Sequence, residues 1–386
     1  MRITNCKIVT ENKVIDKGTI TFEDGIITKI EDGVSANADL DANGKILFPG
    51  VVDLHTHGSG DFDFMDGKES DIHDASRGLA KWGTTSALAT TLTSSDDELF
   101  AFFSNFNKAK KNRGKDEARL MGAHLEGPFF NPKMKGAQDI RYICSPEPEH
   151  YNKILEKSDG AIKRWSVAPE LDGALDFIKD VSKEGIIVSG GHTAADFQTI
   201  RKAIKCGMTM LTHYYSAMSS MVKHGSWKVL GATEAGLYFD SLYVELISDG
   251  CHLPQDLLRL IFKLKSHDHI IAISDSMRGA GFTSGFSILG PKNNGTKVVI
   301  EDGVALLEDK SCFAGSIATG IRLIKTLSTL VPLSLIETAN TVSLNPAKLI
   351  KEDDKIGSIK VGKYADFILF DEEFNLDSVY IAGERI

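Results

Sequence analysis

From about residue 49 to residue 345 the chain alternates short apolar runs with helical patterns, and each run closes on polar residues. That alternation is what strand–helix units wound into a parallel sheet look like in sequence. Eight candidate strands end near His55/His57, Thr90/Thr93, Glu126, Pro169-Glu170, His192, His213, Asp249-Gly250-Cys251-His252 and Asp275. Helical stretches such as Asp71 to Lys81, Leu171 to Lys183, Asp196 to Lys205 and Gln255 to Leu264 lie between them. This pattern predicts an α/β fold, a closed (β/α)8 TIM-like barrel. Functional groups in such a barrel gather at the C-terminal ends of the strands.

The two chain ends read differently. Arg2 to Val9, Lys13 to Phe22 and Gly25 to Ile30 are β-rich runs split by turn signals, as are Gly357 to Val361, Ala365 to Phe370 and Val379 to Ile381. They are expected to pair into one small β-sandwich, residues 1–48 with 346–386, leaving 49–345 as the barrel.

Composition narrows the class of partner. The net charge of −9 over 386 residues argues against nucleic acid. It does not exclude a phosphorylated small molecule, because a pocket can be locally basic. No apolar stretch approaches the roughly 18 residues a membrane helix needs, so no membrane partner is expected. Met1-Arg2-Ile3-Thr4-Asn5 lacks the apolar core of a signal peptide. Five scattered cysteines, none in a Cys-x-x-Cys pair, imply neither a disulfide framework nor a zinc knuckle. A reducing, cytoplasmic setting is expected.

The chemistry concentrates at the strand ends. Side chains alternate along a strand, so His55 and His57 point to the same side. Two imidazoles there suit a divalent transition metal. Glu126 can bridge two cations, and His192 and His213 complete a nitrogen-and-oxygen ligand set. Asp275 stands where a carboxylate can accept a water proton and deliver it to a leaving amine. His124 suits the task of orienting Glu126 or a neighbouring ligand. His252 is expected to contact substrate, while Lys223, His224 and Arg278 are basic groups that could meet an anion.

At these residues the sequence resembles the amidohydrolase superfamily and, within it, the N-acetylglucosamine-6-phosphate deacetylases. The resemblance rests on Pro49-Gly50-Val51-Val52-Asp53-Leu54-His55-Thr56-His57-Gly58, His124-Leu125-Glu126-Gly127-Pro128-Phe129, Gly191-His192-Thr193 and Thr212-His213. Ser216-Ala217-Met218, Val244-Glu245-Leu246-Ile247-Ser248-Asp249-Gly250, Ser274-Asp275-Ser276-Met277 and Asn345-Pro346-Ala347 continue it. It implies hydrolysis of the N-acetyl group of an amino-sugar 6-phosphate. It further implies one or two ions, Zn2+ or Fe2+, with Glu126, His192 and His213 around one and His55, His57, Glu126 and Asp275 around the other. A homodimer is implied as well, in which a loop after the sixth strand reaches the neighbouring subunit's site.

Three positions depart from the family pattern. Gln138 replaces a substrate-contacting histidine, Ser216 replaces the asparagine before Ala217, and His224 falls near the arginine that clamps the phosphate. These departures keep one rival open: the same chemistry on another N-acyl substrate, such as N-acetylgalactosamine 6-phosphate or an unphosphorylated compound. A rival from another class is a non-catalytic metal-binding sugar-phosphate sensor, against which Asp275 argues, since a sensor has little need of a proton shuttle.

Overall fold

The computed structural model describes all 386 residues. Eight parallel strands form its centre: β1 Val51–Thr56, β2 Thr84–Thr90, β3 Arg119–Glu126, β4 Ile162–Val167, β5 Ile187–Gly190, β6 Met208–Leu211, β7 Tyr243–Ile247 and β8 Ile270–Ile273. They neighbour one another in chain order. The ring is drawn together between its first and last members, where the Asp275 N–H donates to His55 O at 2.9 Å and Thr56 bridges to Ser276. Strands covered on both faces carry apolar residues continuously rather than alternately, and β1, β2 and β8 are buried at every position. The register of β1 against β2 slips between Asp53 and Thr56, a bulge that falls at His55.

A helix follows each strand: α1 Glu69–Lys81, α2 Asp96–Lys111, α3 Pro148–Ser158, α4 Ala174–Lys183, α5 Phe197–Cys206, α6 Ala232–Tyr238, α7 Gln255–Leu264 and α8 Gly320–Leu330. The local logic is clearest in α2. Ser95 Oγ accepts from the Glu98 N–H while the Glu98 carboxylate accepts from the Ser95 N–H, a reciprocal cap at the helix start. Three acids occupy its first turn and three lysines its last, matching the helix dipole. Leu99, Phe102, Phe103, Phe106 and Ala109 recur at helical spacing and are buried in the main core. Each such phenylalanine contributes about 1.5–3 kcal/mol on burial, so Phe103→Ala or Phe106→Ala, both at wholly buried positions, would damage this helix severely.

Both chain ends meet in one eight-stranded sheet. Its order runs Glu384–Arg385, Leu376–Ile381, Phe367–Phe370, Ile46–Pro49, Arg2–Val9, Val14–Glu23, Ile26–Asp32, with Leu40–Asp41 paired to Arg2–Val9. Ile3, Ile8, Ile20, Phe22, Phe367 and Tyr380 belong to a separate small core. The expected strand at Gly357 to Val361 does not form. The backbone turns at Gly357 (φ +85°) and Gly362 (φ +92°), and Ser358 is instead tied to Glu11 and Lys363. Two features were not expected: a hairpin pairing Val222–His224 with Trp227–Val229, and a three-stranded antiparallel sheet, Gly285–Leu289, Thr296–Glu301 and Val304–Leu307, inserted after β8.

Candidate metal centre and active site

His55, His57, Glu126, His192, His213 and Asp275 converge at or just beyond the C-terminal ends of β1, β3, β5, β6 and β8. Donor atoms of His55, His57 and Glu126 lie within 4.8 Å of one another, as do those of Glu126, His192 and His213. Glu126 therefore belongs to both groups. Its Oε1 is 3.0 Å from His213 Nε2, 3.3 Å from His192 Nε2 and 3.5 Å from His55 Nε2; its Oε2 is 3.5 Å from His57 Nε2. Asp275 Oδ1 stands 3.3 Å from His55 Nε2 and 3.2 Å from His57 Nε2. Three of these residues hold left-handed backbone conformations without being glycine: His192 (φ +44°), His213 (φ +29°) and Asp275 (φ +49°). Such geometry costs on the order of 1–3 kcal/mol per residue and concentrates at functional sites.

The donor set fits divalent cations. His192 Nδ1–H donates to Met134 O at 2.8 Å, and His55 Nδ1–H donates to Glu245 Oε2 at 3.2 Å. With Nδ1 carrying the proton, each Nε2 presents a bare lone pair. His55 Nε2 is buried without a hydrogen-bond partner, and His192 Nε2 faces His213 Nε2 at 3.0 Å. Lone pairs and two carboxylates turned toward one another in a buried space require positive charge among them. The charges of the cluster also act strongly on one another. Against burial, Asp275 and Glu126 push the His55 imidazole well above its ordinary pKa. Against burial, His55, His192 and His213 hold the Glu126 carboxyl well below its own, and His55 and His57 lower that of Asp275.

The cluster opens into a cavity of about 330 Å³, lined also by Gln138, Ser216, Ala217 and His252. The His252 ring is steered by Asp249, Nδ1 to Oδ2 at 2.7 Å, and lies 4.3 Å from the Phe313 ring. Gln138 is fixed at both ends of its amide. Its oxygen accepts the Thr93 N–H at 2.8 Å, so its nitrogen must face Glu126 Oε2, 2.6 Å away. No lysine or arginine lines the cavity.

Two sequence expectations need correction. Arg278 is not a free cation at the mouth. It is 1% exposed, and its guanidinium grips both oxygens of Asp66 while donating to the carbonyls of Asp61, Ile288 and Gly290. It fastens the inserted sheet to the barrel. His224 does not reach the cavity of its own chain either; it sits exposed on the hairpin after β6.

A buried network beneath the cluster was not anticipated. Glu245 on β7 and Arg164 on β4, both 0% exposed, form a two-pronged ion pair. Arg164 also donates to Leu54 O, Ser189 Oγ and Thr212 Oγ1. Against burial, Arg164 and then His55 lower the Glu245 carboxyl to about 2. Charged residues inside apolar strand runs are the sequence sign of this pair, and of the two only Glu245 falls within a motif shared with the family. Nearby, burial and Arg164 hold His124 well below its usual pKa; its ring packs edge-on to His55 at 4.6 Å, and its Nε2 is 2.8 Å from Ser166 Oγ.

Comparison with known proteins agrees with this picture. Residues 46–386 match the amidohydrolase family. An N-acetylglucosamine-6-phosphate deacetylase of Bacillus subtilis is 35% identical, the match covering 95% of this chain and 92% of that protein. An N-acetylgalactosamine-6-phosphate deacetylase of Escherichia coli is 28% identical, covering 98% and 97%. The crystal structure of N-acetylglucosamine-6-phosphate deacetylase from Pasteurella multocida superposes with a TM-score of 0.89 at 29% identity, covering 100% of this chain and 99% of that one. Fold, donor set and likeness over nearly the whole length converge, and the chain belongs to the amidohydrolase family, in its N-acetylglucosamine-6-phosphate deacetylase branch.

Proposed function

We propose that this protein hydrolyses the N-acetyl group of N-acetylglucosamine 6-phosphate, giving acetate and the free amino-sugar phosphate. The observation that carries the reading is Asp275 Oδ1, 3.2–3.3 Å from two histidines at the floor of the cavity, in a chain of this family. His55, His57, Glu126 and Asp275 would hold one divalent cation, and Glu126, His192 and His213 a second; nitrogen and carboxylate donors suit Zn2+ or Fe2+. Such a cation supplies acidity to a water and polarises the carbonyl it faces.

This chain's residues do the rest. Asp275 takes a proton from the attacking water as its oxygen bonds to the acetyl carbon. It returns that proton to the amide nitrogen as the C–N bond breaks, so the amine departs neutral. Gln138 keeps Glu126 turned toward the histidines. His252, with its ring fixed by Asp249, and the Ser216-Ala217 backbone bind and orient the sugar. Phe313 and Leu289 give the cavity an apolar wall.

The phosphate finds no cation within one chain's cavity. Lys223, His224 and Lys228 stand exposed on the hairpin after β6, together with Trp227 at 80% exposure. We place these on a homodimer interface, where the hairpin brings basic groups to the neighbouring subunit's site. The five free cysteines support a cytoplasmic setting, and no helix is long and apolar enough to cross a membrane. The Escherichia coli relative favours a second substrate, the galacto epimer. Comparing kcat/KM for both N-acetylhexosamine 6-phosphates and their unphosphorylated forms tests the reading. A phosphate preference of 100-fold or more is expected, since hydrogen bonds to a charged group contribute about 1.5–3 kcal/mol each. Equal rates with and without phosphate would remove the phosphate from the proposal.

A further inference from the structure

We infer that Glu245 is a positioning residue that selects how many cations the centre holds: it builds the His55/His57 site and leaves the His192/His213 site largely to itself. The inference rests on the metal-centre reading above and concerns a residue that touches neither substrate nor cation. Glu245 Oε2 accepts the Nδ1–H of His55 at 3.2 Å, which turns the unpartnered Nε2 of that ring toward Glu126 and Asp275. The same oxygen accepts the backbone N–H of His213 at 3.0 Å. Its reach into the two cation groups is therefore unequal. For His55 it sets ring rotation and tautomer, the two properties that decide whether Nε2 can ligate. For His213 it holds only the main chain, and the ring nitrogens make no contact with it.

His192, the other imidazole of that group, is fixed independently by Met134 O. Neither His57 nor His213 has comparable ring support, because the Nδ1 of each is buried without a partner. The His55/His57 group thus depends on a single oriented ring, and Glu245 orients it. Arg164 makes this tenable. It neutralises a carboxylate that is otherwise wholly buried, and its further bonds to β1, to β5 and to Thr212 just after β6 hold that carboxylate at the centre of the ring of strands. Outer partners of ligating histidines commonly change metal affinity by 10–100-fold when removed.

The test is cation stoichiometry and affinity by equilibrium dialysis and elemental analysis, with the Co2+-substituted absorption spectrum as a second readout. The wild type is expected to bind two equivalents. Glu245→Gln presents an amide N–H to His55 in one orientation and cannot enforce the tautomer, so it is expected to bind one equivalent tightly and the second at least tenfold more weakly. His55→Ala should give the same one-cation spectrum. If Glu245→Gln does not fold because Arg164 is left unneutralised, the double variant Arg164→Gln/Glu245→Gln removes both charges and must show the same selective loss. Two equivalents bound with unchanged affinity in the folded variant would overturn the inference. So would loss of both cations together, which a merely structural role predicts, or a wild type that binds only one. A wild type that binds none would instead overturn the metal-centre reading itself.

Discussion

Gln138 donates its side-chain N–H to Glu126 Oε2 at 2.6 Å, and the amide cannot be turned round because its oxygen already accepts the Thr93 N–H. The residue that the family resemblance sets in place of a substrate-contacting histidine, Gln138, is thus engaged with the carboxylate shared by both donor groups. Gln138→Ala is predicted to lower kcat/KM and cation affinity by roughly tenfold each. Gln138→Glu should be worse at neutral pH, since it sets a second carboxylate against Glu126 in a buried space. Steady-state kinetics alongside metal content checks both. A variant that raises KM alone, with cation affinity intact, would return Gln138 to the simple role of a substrate contact.

Asp275→Asn removes the proton acceptor but keeps the side-chain shape. The expected outcome is a fall in kcat of roughly 100- to 10,000-fold, with His192 and His213 still able to hold a cation beside Glu126. Single-turnover acetate release from the metal-loaded variant measures it. A rate within a few-fold of wild type would mean that another group moves the proton.

The hairpin after β6 exposes Trp227, Val222 and Met221 together, at 80%, 58% and 48%. Buried aromatics dominate protein interfaces. Trp227→Ala is predicted to weaken self-association at least tenfold and to raise KM for the phosphorylated substrate in parallel. Sedimentation velocity on the variant reads the first effect. A wild type that sediments as a monomer at the assay concentration would rule out the shared-site arrangement.

Much of this architecture was legible in the sequence because residue types recur at strand ends. His55, His57, Glu126, His192, His213 and Asp275 each close an apolar run, and a barrel brings such positions to one face. The β-rich ends were likewise expected to pair with each other, as a small sandwich, and their strands share one sheet. What escaped depends on partners far apart along the chain. Arg278 looks like a basic loop group beside the site, yet its partner Asp66 lies 212 residues upstream. Glu245 and Arg164 read as interruptions of apolar strands, and only their mutual bonds, 81 residues apart, explain how both are buried. The bulge at His55 has no composition of its own, and the strand expected at Gly357 yields to two left-handed glycine turns.

Lys265, at the end of α7, is 2% exposed, and its ammonium donates to Phe239 O at 2.6 Å. Burial lowers its pKa from 10.5 to about 8, only partly offset by Asp240. A lowered lysine pKa means that the unfolded chain binds the proton more tightly than the folded one. The penalty is therefore full below about pH 8 and fades as pH rises toward 10.5. Lys265→Met is predicted to stabilise the protein by about 1–3 kcal/mol at pH 7, the gain shrinking above pH 10. Phe239 O keeps the Leu242 N–H, so no acceptor is orphaned. Denaturant unfolding at the two pH values checks the sign; a variant less stable than wild type at pH 7 would show that the ammonium's bond outweighs its burial.

The most direct measurement is acetate release from N-acetylglucosamine 6-phosphate by protein stripped with chelator and reloaded with Zn2+ or Fe2+. The account predicts saturable turnover by the reloaded protein, with one free amine formed per acetate, and almost none by the stripped protein. With cations bound and Asp275 intact, absence of acetate from either hexosamine phosphate would contradict it and leave a barrel that binds metal and sugar phosphate without hydrolysing the amide.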